Sequence, residues 1–496
     1  MLAYKINIRD IANQIFIPKY YDPVLKQQIM ALSETHELIS LGDLIDNGKV
    51  IAQTGHEIGK MAYGTGNIPF VRTSDISNWE IKTIPKQGVS EEIYQLYAEK
   101  EDVQAGDILM VRDGTYLIGT NCIITELDLP MVFQSHILKF RVVDKDYLDP
   151  LILFLCMNCT LVQRQIRNLQ FTADIIDTLG NRYREIILPI PKNETLKQEL
   201  RQKMQDALDI RVKYKAAIKQ MPLLVENVLD SNSTNAFDDF FGKSMTEILD
   251  LLVQDTTTLE FGGFTAYKLH SSDIVNNIFL PKYYDPSITA MLEKLKESCT
   301  LYPVCDLLST GILSLSTGDE IGKMAYGTGD IPFVRTSDFS NWEIKSDAKQ
   351  GVSEEIYQQY AGKEDVQAGD ILIVRDGTYL VGTSCLITEY DTKMLYCGGL
   401  IKIRTLNKDI LDEYLLLGLL NSYIVKRQIR TKQFTRDVID TLGQRLKEVV
   451  IPIPNSPELR KAISAEVKKI VNNRIEARDT ILMLANRLIV PQEHAF

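Results

Sequence analysis

Cysteine is too scarce in this chain to hold it together by disulfides. Seven cysteines are spread over 496 residues, whereas disulfide frameworks belong to small, cysteine-dense secreted domains. Cys156 and Cys159 form one CxxC pair, but a zinc site needs a second pair and none lies nearby. The matching positions in the second half hold Leu419 and Ser422. We therefore predict buried thiols that bind no metal.

Long apolar runs are also missing. The longest, residues 151–162, is too short and too interrupted to cross a bilayer. The first ten residues lack the basic-then-apolar pattern of a signal peptide. We therefore expect a cytoplasmic protein, with enough length for two to four domains.

Common catalytic motifs are absent from the sequence. It contains no GxxxxGK[ST] phosphate loop, HExxH, GxSxG or paired metal-ligand cluster. The glycine-rich run 260–264 occurs once and indicates a turn. We predict no catalytic residue, metal or cofactor in this chain. None of its five histidines recurs at the matching position of the other half, which excludes a duplicated histidine-based active site: His36, His56, His136, His270 and His494.

The net charge of -11 is concentrated in one segment. Residues 226–260 contain eight acidic residues and one basic residue, Lys243, which leaves about -4 for the rest of the chain. The segment would repel phosphate, so we expect it to face away from any nucleic acid. We predict a flexible lead-in over 231–235 and an amphipathic helix over 245–253.

A long internal repeat organises the sequence. Its two copies are offset by 263 residues without insertion or deletion, and roughly 85% of positions 57–120 are identical. Such a period is too long for a solenoid unit and indicates a duplicated domain. The matched strings include PKYYDP at 18–23 and 281–286, EIGKMAYGTG at 57–66 and 320–329, IPFVRTSD at 68–75 and 331–338, VRDGTYL at 111–117 and 374–380, and DTLG at 177–180 and 440–443.

Each copy reads as a mixture of short strands and helices. In the first copy we predict helices over about 149–168 and 172–179, followed by a strand with a proline stop at 186–191, which recurs at 449–454. Alternating and β-rich runs predict the remaining strands, at 68–72, 79–82, 108–112, 116–125 and 132–142.

A long helix should follow each copy. Asn193 and Ser456 are good N-cap residues, and Pro457 suits a first helical turn. Apolar residues then recur with heptad spacing, and one arginine, Arg211 or Arg474, occupies the same place in each seam. This pattern predicts a coiled-coil pair, with helices about 50 Å long that separate the two domains. The alternative is that each amphipathic helix packs on its own domain.

Polar residues that suit nucleic acid follow two apolar strands in each copy. Arginine pairs bidentately with guanine, asparagine or glutamine with adenine, and serine or threonine with phosphate or bases. Each residue taken singly also fits a solvated turn or a structural ion pair. The duplicated set favours a DNA-binding face made of Lys60, Tyr63, Arg72, Thr73, Ser74, Asn78, Lys86, Gln87, Arg112, Asp113, Gly114, Thr115, Tyr116, Gln134 and His136 in the first copy, and of Lys323, Tyr326, Arg335, Thr336, Ser337, Asn341, Lys349, Gln350, Arg375, Asp376, Gly377, Thr378 and Tyr379 in the second.

Two other functions remain open from the residues alone. Asp75, Glu80 and Lys82 fit the loose D…ExK pattern of a magnesium nuclease, which needs two carboxylates on one metal. The same residues also fit a charged boundary between a loop and a strand. A protein–protein scaffold that leaves DNA contacts to a partner is the third function.

The chain resembles the specificity subunits of type I restriction–modification systems over essentially its whole length. The resemblance rests on PKYYDP, on IPFVRTSD followed by GDILMVRDGTYLIG, and on the FTADIIDTLG-to-IILPIP run before a long helix, each present twice. It implies an α+β fold with two target-recognition domains of twisted β-sheet, joined by antiparallel helices with pseudo-two-fold symmetry. It also implies that the chain binds double-stranded DNA and is not an enzyme. Two modification subunits would carry S-adenosylmethionine and methylate adenine, and a separate motor-nuclease subunit would cleave.

This chain departs from the family in having two nearly identical recognition domains, where the family usually pairs different ones. We therefore expect a bipartite, near-palindromic target, with any asymmetry at the divergent residues 133–136 and 396–399. The expected domains are a first recognition domain at 1–191, a first long helix at 192–228, an acidic linker at 229–263, a second recognition domain at 264–454 and a second long helix at 455–496.

Overall fold

A computed structural model describes residues 15–490, together with residues 5, 6 and 11. Within that range it leaves out residues 115, 174–175, 255–266, 271, 273, 277, 347, 349, 378 and 437–438. Contacts divide the chain into two compact units, one formed by 1–212 with 476–496 and the other by 213–475. No helix within the described ranges is long and apolar enough to cross a membrane.

The first copy folds into short helices around small, mostly antiparallel sheets. Its helices are Pro23–Met30, Leu41–Asp46, Glu91–Glu101, Pro150–Asn158 and Thr160–Leu169. Its strands are His36–Ser40, Val50–Thr54, Ile68–Val71, Ile76–Ser77, Glu80–Ile81, Gln87–Val89, Ile108–Val111, Asn121–Ile123, Val132–Phe133, Ile137–Val142, Phe171–Ala173, Ile176–Thr178 and Ile187–Pro191.

Two sheets of the first copy position the predicted polar loops. A four-stranded antiparallel sheet has the order Val50–Thr54, Ile137–Val142, Ile108–Val111, Asn121–Ile123. In a three-stranded sheet, Ile68–Val71 lies between Gln87–Val89 and Val132–Phe133 and runs parallel to the latter. The side chains of Ile108–Val111 are completely buried, as expected for a strand covered on both faces.

The second copy repeats this arrangement. Its helices are Pro286–Leu295, Val304–Ser309, Glu354–Glu364, Glu413–Leu420 and Tyr423–Lys432. Its strands are Cys299–Pro303, Leu313–Thr317, Ile331–Val334, Phe339–Ser340, Glu343–Ile344, Gly351–Val352, Ile371–Val374, Ser384–Leu386, Leu395–Tyr396, Leu400–Thr405, Phe434–Arg436, Ile439–Thr441 and Val450–Pro454.

The two predicted long helices are Glu194–Ser231 and Pro457–Arg487. Their predicted caps are confirmed: the Asn193 Oδ1 accepts a hydrogen bond from the Leu196 N–H at 3.0 Å, and the Ser456 Oγ accepts one from the Leu459 N–H at 3.2 Å. The first helix continues three residues beyond its expected end at 228. Each unit contains the N-terminal part of one helix and the C-terminal part of the other, as an antiparallel pair requires.

Both sequence-based interpretations of the heptad seams apply in the first unit. Residues of both long helices join the core of that unit, which also contains Phe154 and Leu188. The seam therefore packs on its own domain as well as on the other helix. The contributing seam residues are Leu200, Met204, Ala207, Ala477, Ile481 and Leu484.

Three predictions of local structure are wrong. Where a helix was predicted over 172–179, Phe171–Ala173 and Ile176–Thr178 pair as antiparallel strands. The predicted strand 116–125 shrinks to Asn121–Ile123, since residues 116–119 form a turn that includes Gly119 at φ 87°. The predicted strand 132–142 is interrupted between Val132–Phe133 and Ile137–Val142 because its two parts belong to different sheets.

The acidic linker contains two short helices, Asn235–Phe241 and Met245–Gln254. The second matches the amphipathic helix predicted over 245–253. Phe237 and Phe240 of the first are buried, and the Lys469 Nζ lies 5.3 Å from the centre of the Phe241 ring. The predicted lead-in at 231–235 is reduced to the three residues between two helices. The run 260–264 lies outside the described residues.

The predicted burial of Cys156 and Cys159 is confirmed. Cys156 and Cys159 are buried and form no disulfide. Burial raises the pKa of Cys156 well above its usual value and that of Cys159 to about 11. Both sulfurs therefore pack as small apolar groups at neutral pH.

Candidate nucleic-acid interface

The first strand-end loop, residues 72–75, is held in shape by a buried carboxylate. Asp75 accepts hydrogen bonds from the backbone N–H groups of Arg72 at 2.9 Å and Lys86 at 3.1 Å. Its side chain is fully buried, and burial raises the pKa of its carboxyl. In the second copy Asp338 likewise accepts from the Arg335 N–H at 2.9 Å. The carboxylate therefore shapes the loop, which presents Arg72, Thr73 and Ser74 half-buried at its surface.

An aromatic platform lies beneath the arginine of this loop. The Arg72 guanidinium carbon lies 5.9 Å from the centre of the Tyr63 ring, which stacks on Phe70 with centroids 5.7 Å apart. Arg335 and Tyr326 repeat the contact at 5.9 Å. The structure thus brings together Arg72 and Tyr63, which the sequence had only placed in separate loops, and Lys60 is exposed nearby along the chain.

Other predicted residues of this region fill different positions. Asn78 and Asn341 are 5% exposed and occupy tight turns with φ of 47° and 51°, a conformation that asparagine tolerates better than most residues. Gln350 is buried as well, with 6% exposure. Lys86 is exposed and Gln87 half-buried. Asn78, Asn341 and Gln350 therefore present little surface to a ligand.

The second strand-end loop is organised around Asp113. Arg112 donates to it through Nε at 3.1 Å and Nη2 at 2.8 Å, His136 Nδ1 lies 2.9 Å away, and the Thr178 Oγ1 also donates to it. Burial opposes ionisation, but these hydrogen bonds hold the pKa of Asp113 below its usual value. Arg112 is therefore engaged within the protein. A base or phosphate has to compete with Asp113 for the Arg112 guanidinium.

The second copy keeps the ion pair but loses the histidine. Arg375 Nη2 lies 2.6 Å from Asp376 Oδ2, and the Thr441 Oγ1 donates to Asp376. Gly399 stands where the first copy has His136. This is the clearest chemical difference between the two candidate faces.

The remaining candidates of the second loop differ in exposure. Gln134 is only 7% exposed, and its N–H donates to the Val71 carbonyl, so this position faces the core. His136 and Tyr379 are half-buried, while Tyr116 is 53% exposed. Gly114 and Gly377 have φ of 126° and 138°, which only glycine adopts readily. Thr115, Lys349 and Thr378 lie outside the described residues.

The residues of the nuclease pattern have structural partners. Both oxygens of Asp75 hold backbone N–H groups, and Glu80 Oε1 lies 3.3 Å from Arg211 Nη2 of the first long helix. Glu343 pairs with Arg474 in the same way at 3.1 Å. Over the part of the chain that the structure describes, no group of three or more histidine, cysteine or acidic side chains is placed to hold a metal. The nuclease alternative is not supported.

A second pair of basic residues, Arg182 and Arg445, was not among those predicted from the sequence. Arg182 lies over the Phe171 ring at 4.2 Å, and Arg445 lies over the Phe434 ring at 3.9 Å. Arg445 also lines a cleft of about 1020 Å³ that includes Arg375. The signal was available, because both arginines recur at the offset of 263. Because a helix was predicted over 172–179, the neighbouring Arg182 was not considered as part of a binding face.

Comparison with known proteins identifies the domain type. Residues 311–482 match the family described as type I restriction modification DNA specificity domain. A search of curated proteins found no match. Similar solved structures include a type I restriction-modification S subunit from M. genitalium (12% identity, TM-score 0.36, covering 92% of this chain and 96% of that chain) and the HsdS subunit from Thermoanaerobacter tengcongensis (14%, 0.26, 92% and 94%).

The second half of the chain therefore contains a DNA specificity domain. Since residues 48–219 repeat residues 311–482 at the offset of 263, the first half contains another copy. The likeness to type I restriction–modification specificity domains therefore covers residues 311–482 directly and residues 48–219 through the repeat.

Proposed function

We propose that this chain is the DNA-reading subunit of a type I restriction–modification complex and catalyses no reaction itself. The observation that carries the proposal is the DNA specificity domain at 311–482 together with its repeat. Two duplicated sets of arginine, tyrosine and hydroxyl side chains at strand ends support it, because such groups suit phosphates and base edges.

Each copy would read one half-site. In both copies, the arginine over the tyrosine ring, Arg72 or Arg335, is the strongest candidate for contact with a base or phosphate. The residue is half-buried in a loop whose backbone is held by a carboxylate. Arg112 and Arg375 are weaker candidates for DNA contact, since each is already paired with the aspartate that follows it in the chain.

The target would be bipartite and near-palindromic. Two nearly identical readers on opposite DNA strands would read similar words in opposite directions, separated by unread base pairs. Half-sites on one face of B-DNA lie roughly 34–36 Å apart, about one helical turn. Helices about 50 Å long are compatible with that spacing.

Catalysis would belong to partner subunits. Type I specificity subunits assemble with methyltransferase and restriction subunits on DNA. For this chain we propose two modification subunits that bring S-adenosylmethionine, and a motor-nuclease subunit for cleavage. The acidic linker would face away from the DNA, since its charge repels phosphate.

The test uses the purified full chain and a set of duplexes, followed by methylome sequencing of cells that express it with a modification subunit. We expect salt-dependent duplex binding without methyl transfer or cleavage by the chain alone. With the partner, methylation should mark two similar inverted half-sites. Catalysis by the isolated chain would refute the division of labour, and two unrelated half-sequences would refute the symmetric reading. Failure to bind any duplex would favour the scaffold alternative.

A further inference from the structure

The helix Tyr423–Lys432 of the second copy carries four basic side chains, two of which are neutralised. Arg427 pairs with Asp285 at 2.6 Å, and Lys432 pairs with Glu448 at 3.2 Å. Lys426 and Arg430 form no ion pair with the residues described in this unit. Among the described residues, neither cation has a carboxylate in ion-pair contact, and only the more distant Asp440 attracts Arg430.

These two charges lie on the same side of the helix. Residues four apart are neighbours on a helix surface, so Lys426 and Arg430 repel each other. Burial and the charge of Arg430 lower the pKa of Lys426 to about 8. The half-buried Lys426 and the exposed Arg430 therefore form a cationic pair that favours an anion beside this helix.

The pair borders the second strand-end loop. The Arg430 Nη2 donates to the Tyr379 carbonyl at 3.4 Å, and its Nη1 donates to the Gln433 Oε1 at 3.1 Å. Tyr379 ends the loop that begins with Arg375, one of the candidate DNA contacts. An anion held between Lys426 and Arg430 would thus lie beside the proposed DNA-binding face.

The first copy has a different residue at the key position. Gln163 occupies the place of Lys426, and its amide donates to the carbonyls of Met157 at 2.8 Å and Gly119 at 3.4 Å. Arg167 matches Arg430. The first copy therefore satisfies this position internally, whereas the second copy places a positive charge there.

We propose that Lys426 and Arg430 form a clamp for a DNA backbone phosphate, which the second recognition domain has and the first lacks in this form. This inference rests on the proposed function and extends it. The two copies would read similar half-sites, but the second would hold its DNA more tightly. Because phosphate contacts carry no base information, the clamp would set affinity and register rather than sequence.

The test measures how duplex binding by the full chain depends on salt. Binding of an about 30-base-pair duplex of random sequence is followed by fluorescence anisotropy from about 50 to 200 mM salt at about pH 7, where Lys426 is charged. Each phosphate contact contributes about 0.9 to the slope of log affinity against log salt. Lys426→Gln should therefore lower the slope by about 0.9, which corresponds to an about 3.5-fold smaller loss of affinity over that range. Lys426→Gln with Arg430→Gln should lower the slope further.

Two variants serve as controls. Lys426→Arg keeps the charge and should keep the slope, and Gln163→Lys should raise the slope by adding a charge to the first copy. Glutamine at 426 copies the residue that the first copy folds with, and an unchanged melting temperature verifies this. If wild type binds duplex DNA and Lys426→Gln has the same slope, the clamp is refuted while the proposed function stands. If wild type binds no duplex at all, both are refuted.

Discussion

The buried ion pair between Arg474 and Glu343 offers a direct test of how the second long helix is anchored. Arg474 is completely buried and Glu343 is 3% exposed, with Nη2 and Oε2 3.1 Å apart. Both residues belong to the same unit. At an effective dielectric constant of about 20, two unit charges at this distance attract by about 5 kcal/mol.

Removal of one partner should cost most of that attraction. Glu343→Ala leaves a guanidinium buried without its carboxylate, and such changes typically cost about 3–5 kcal/mol. For a unit of this size, 1 kcal/mol corresponds to about 2–4 °C in melting temperature. We therefore expect the melting temperature of this unit to fall by about 10 °C.

Calorimetry of the full chain measures the effect. The control is Glu297→Ala, an exposed glutamate of the same unit, which should change stability by less than about 0.5 kcal/mol. Arg474→Met combined with Glu343→Leu removes both charges and should recover most of the lost stability, because a buried ion pair is often replaceable by apolar side chains. If the Glu343→Ala protein has the same melting temperature as the Glu297→Ala control, the anchoring role is refuted.

Three further predictions concern pH, DNA affinity and specificity. Burial raises the pKa of Glu226 to about 7, so the folded state binds this proton more tightly than the unfolded chain, and stability should fall by about 3 kcal/mol between about pH 4.5 and 7. Glu226→Gln, which keeps an acceptor for the Ile424 N–H, should melt higher than wild type near pH 8 and equally near pH 4; parallel pH profiles would contradict this. Arg335→Ala should cost about 1–3 kcal/mol in duplex binding, with relaxed specificity at one base pair if it reads a base, and unchanged binding and specificity would make Arg335 structural. His136→Gly copies Gly399 and should make the methylated site more symmetric in sequencing of modified DNA, whereas an unchanged asymmetry would assign it elsewhere.

Much of the fold was predictable because its signals are local or periodic. The helix caps at Asn193 and Ser456, the heptad spacing and the proline-stopped strands each depend on residues close together in the chain. The paired strands Phe171–Ala173 and Ile176–Thr178 were missed because their apolar residues also fit a helical period, and pairing between strands decided the outcome.

The candidate site was only partly predictable for a related reason. Residue type indicates which side chains suit DNA, but not which of them the fold uses internally. Asp75 holds a loop, Asn78 forms a turn, and Arg112 is paired with Asp113. The sequence shows one arginine at the same place in each heptad seam. It does not show their partners, Glu80 and Glu343, which lie more than a hundred residues away in the chain.

The sequence by itself determined the duplication, the two long helices and the likeness to specificity domains, since identity at a fixed offset, heptad period and ordered motifs are properties of the linear chain. Only the tertiary structure decided which polar residues remain available to a ligand. Exposure and ion pairing depend on contacts between distant segments, as the burial of Gln134 and the lowered pKa of Lys426 illustrate. Such contacts arise when the sheets and helices pack, and no local pattern in the sequence encodes them.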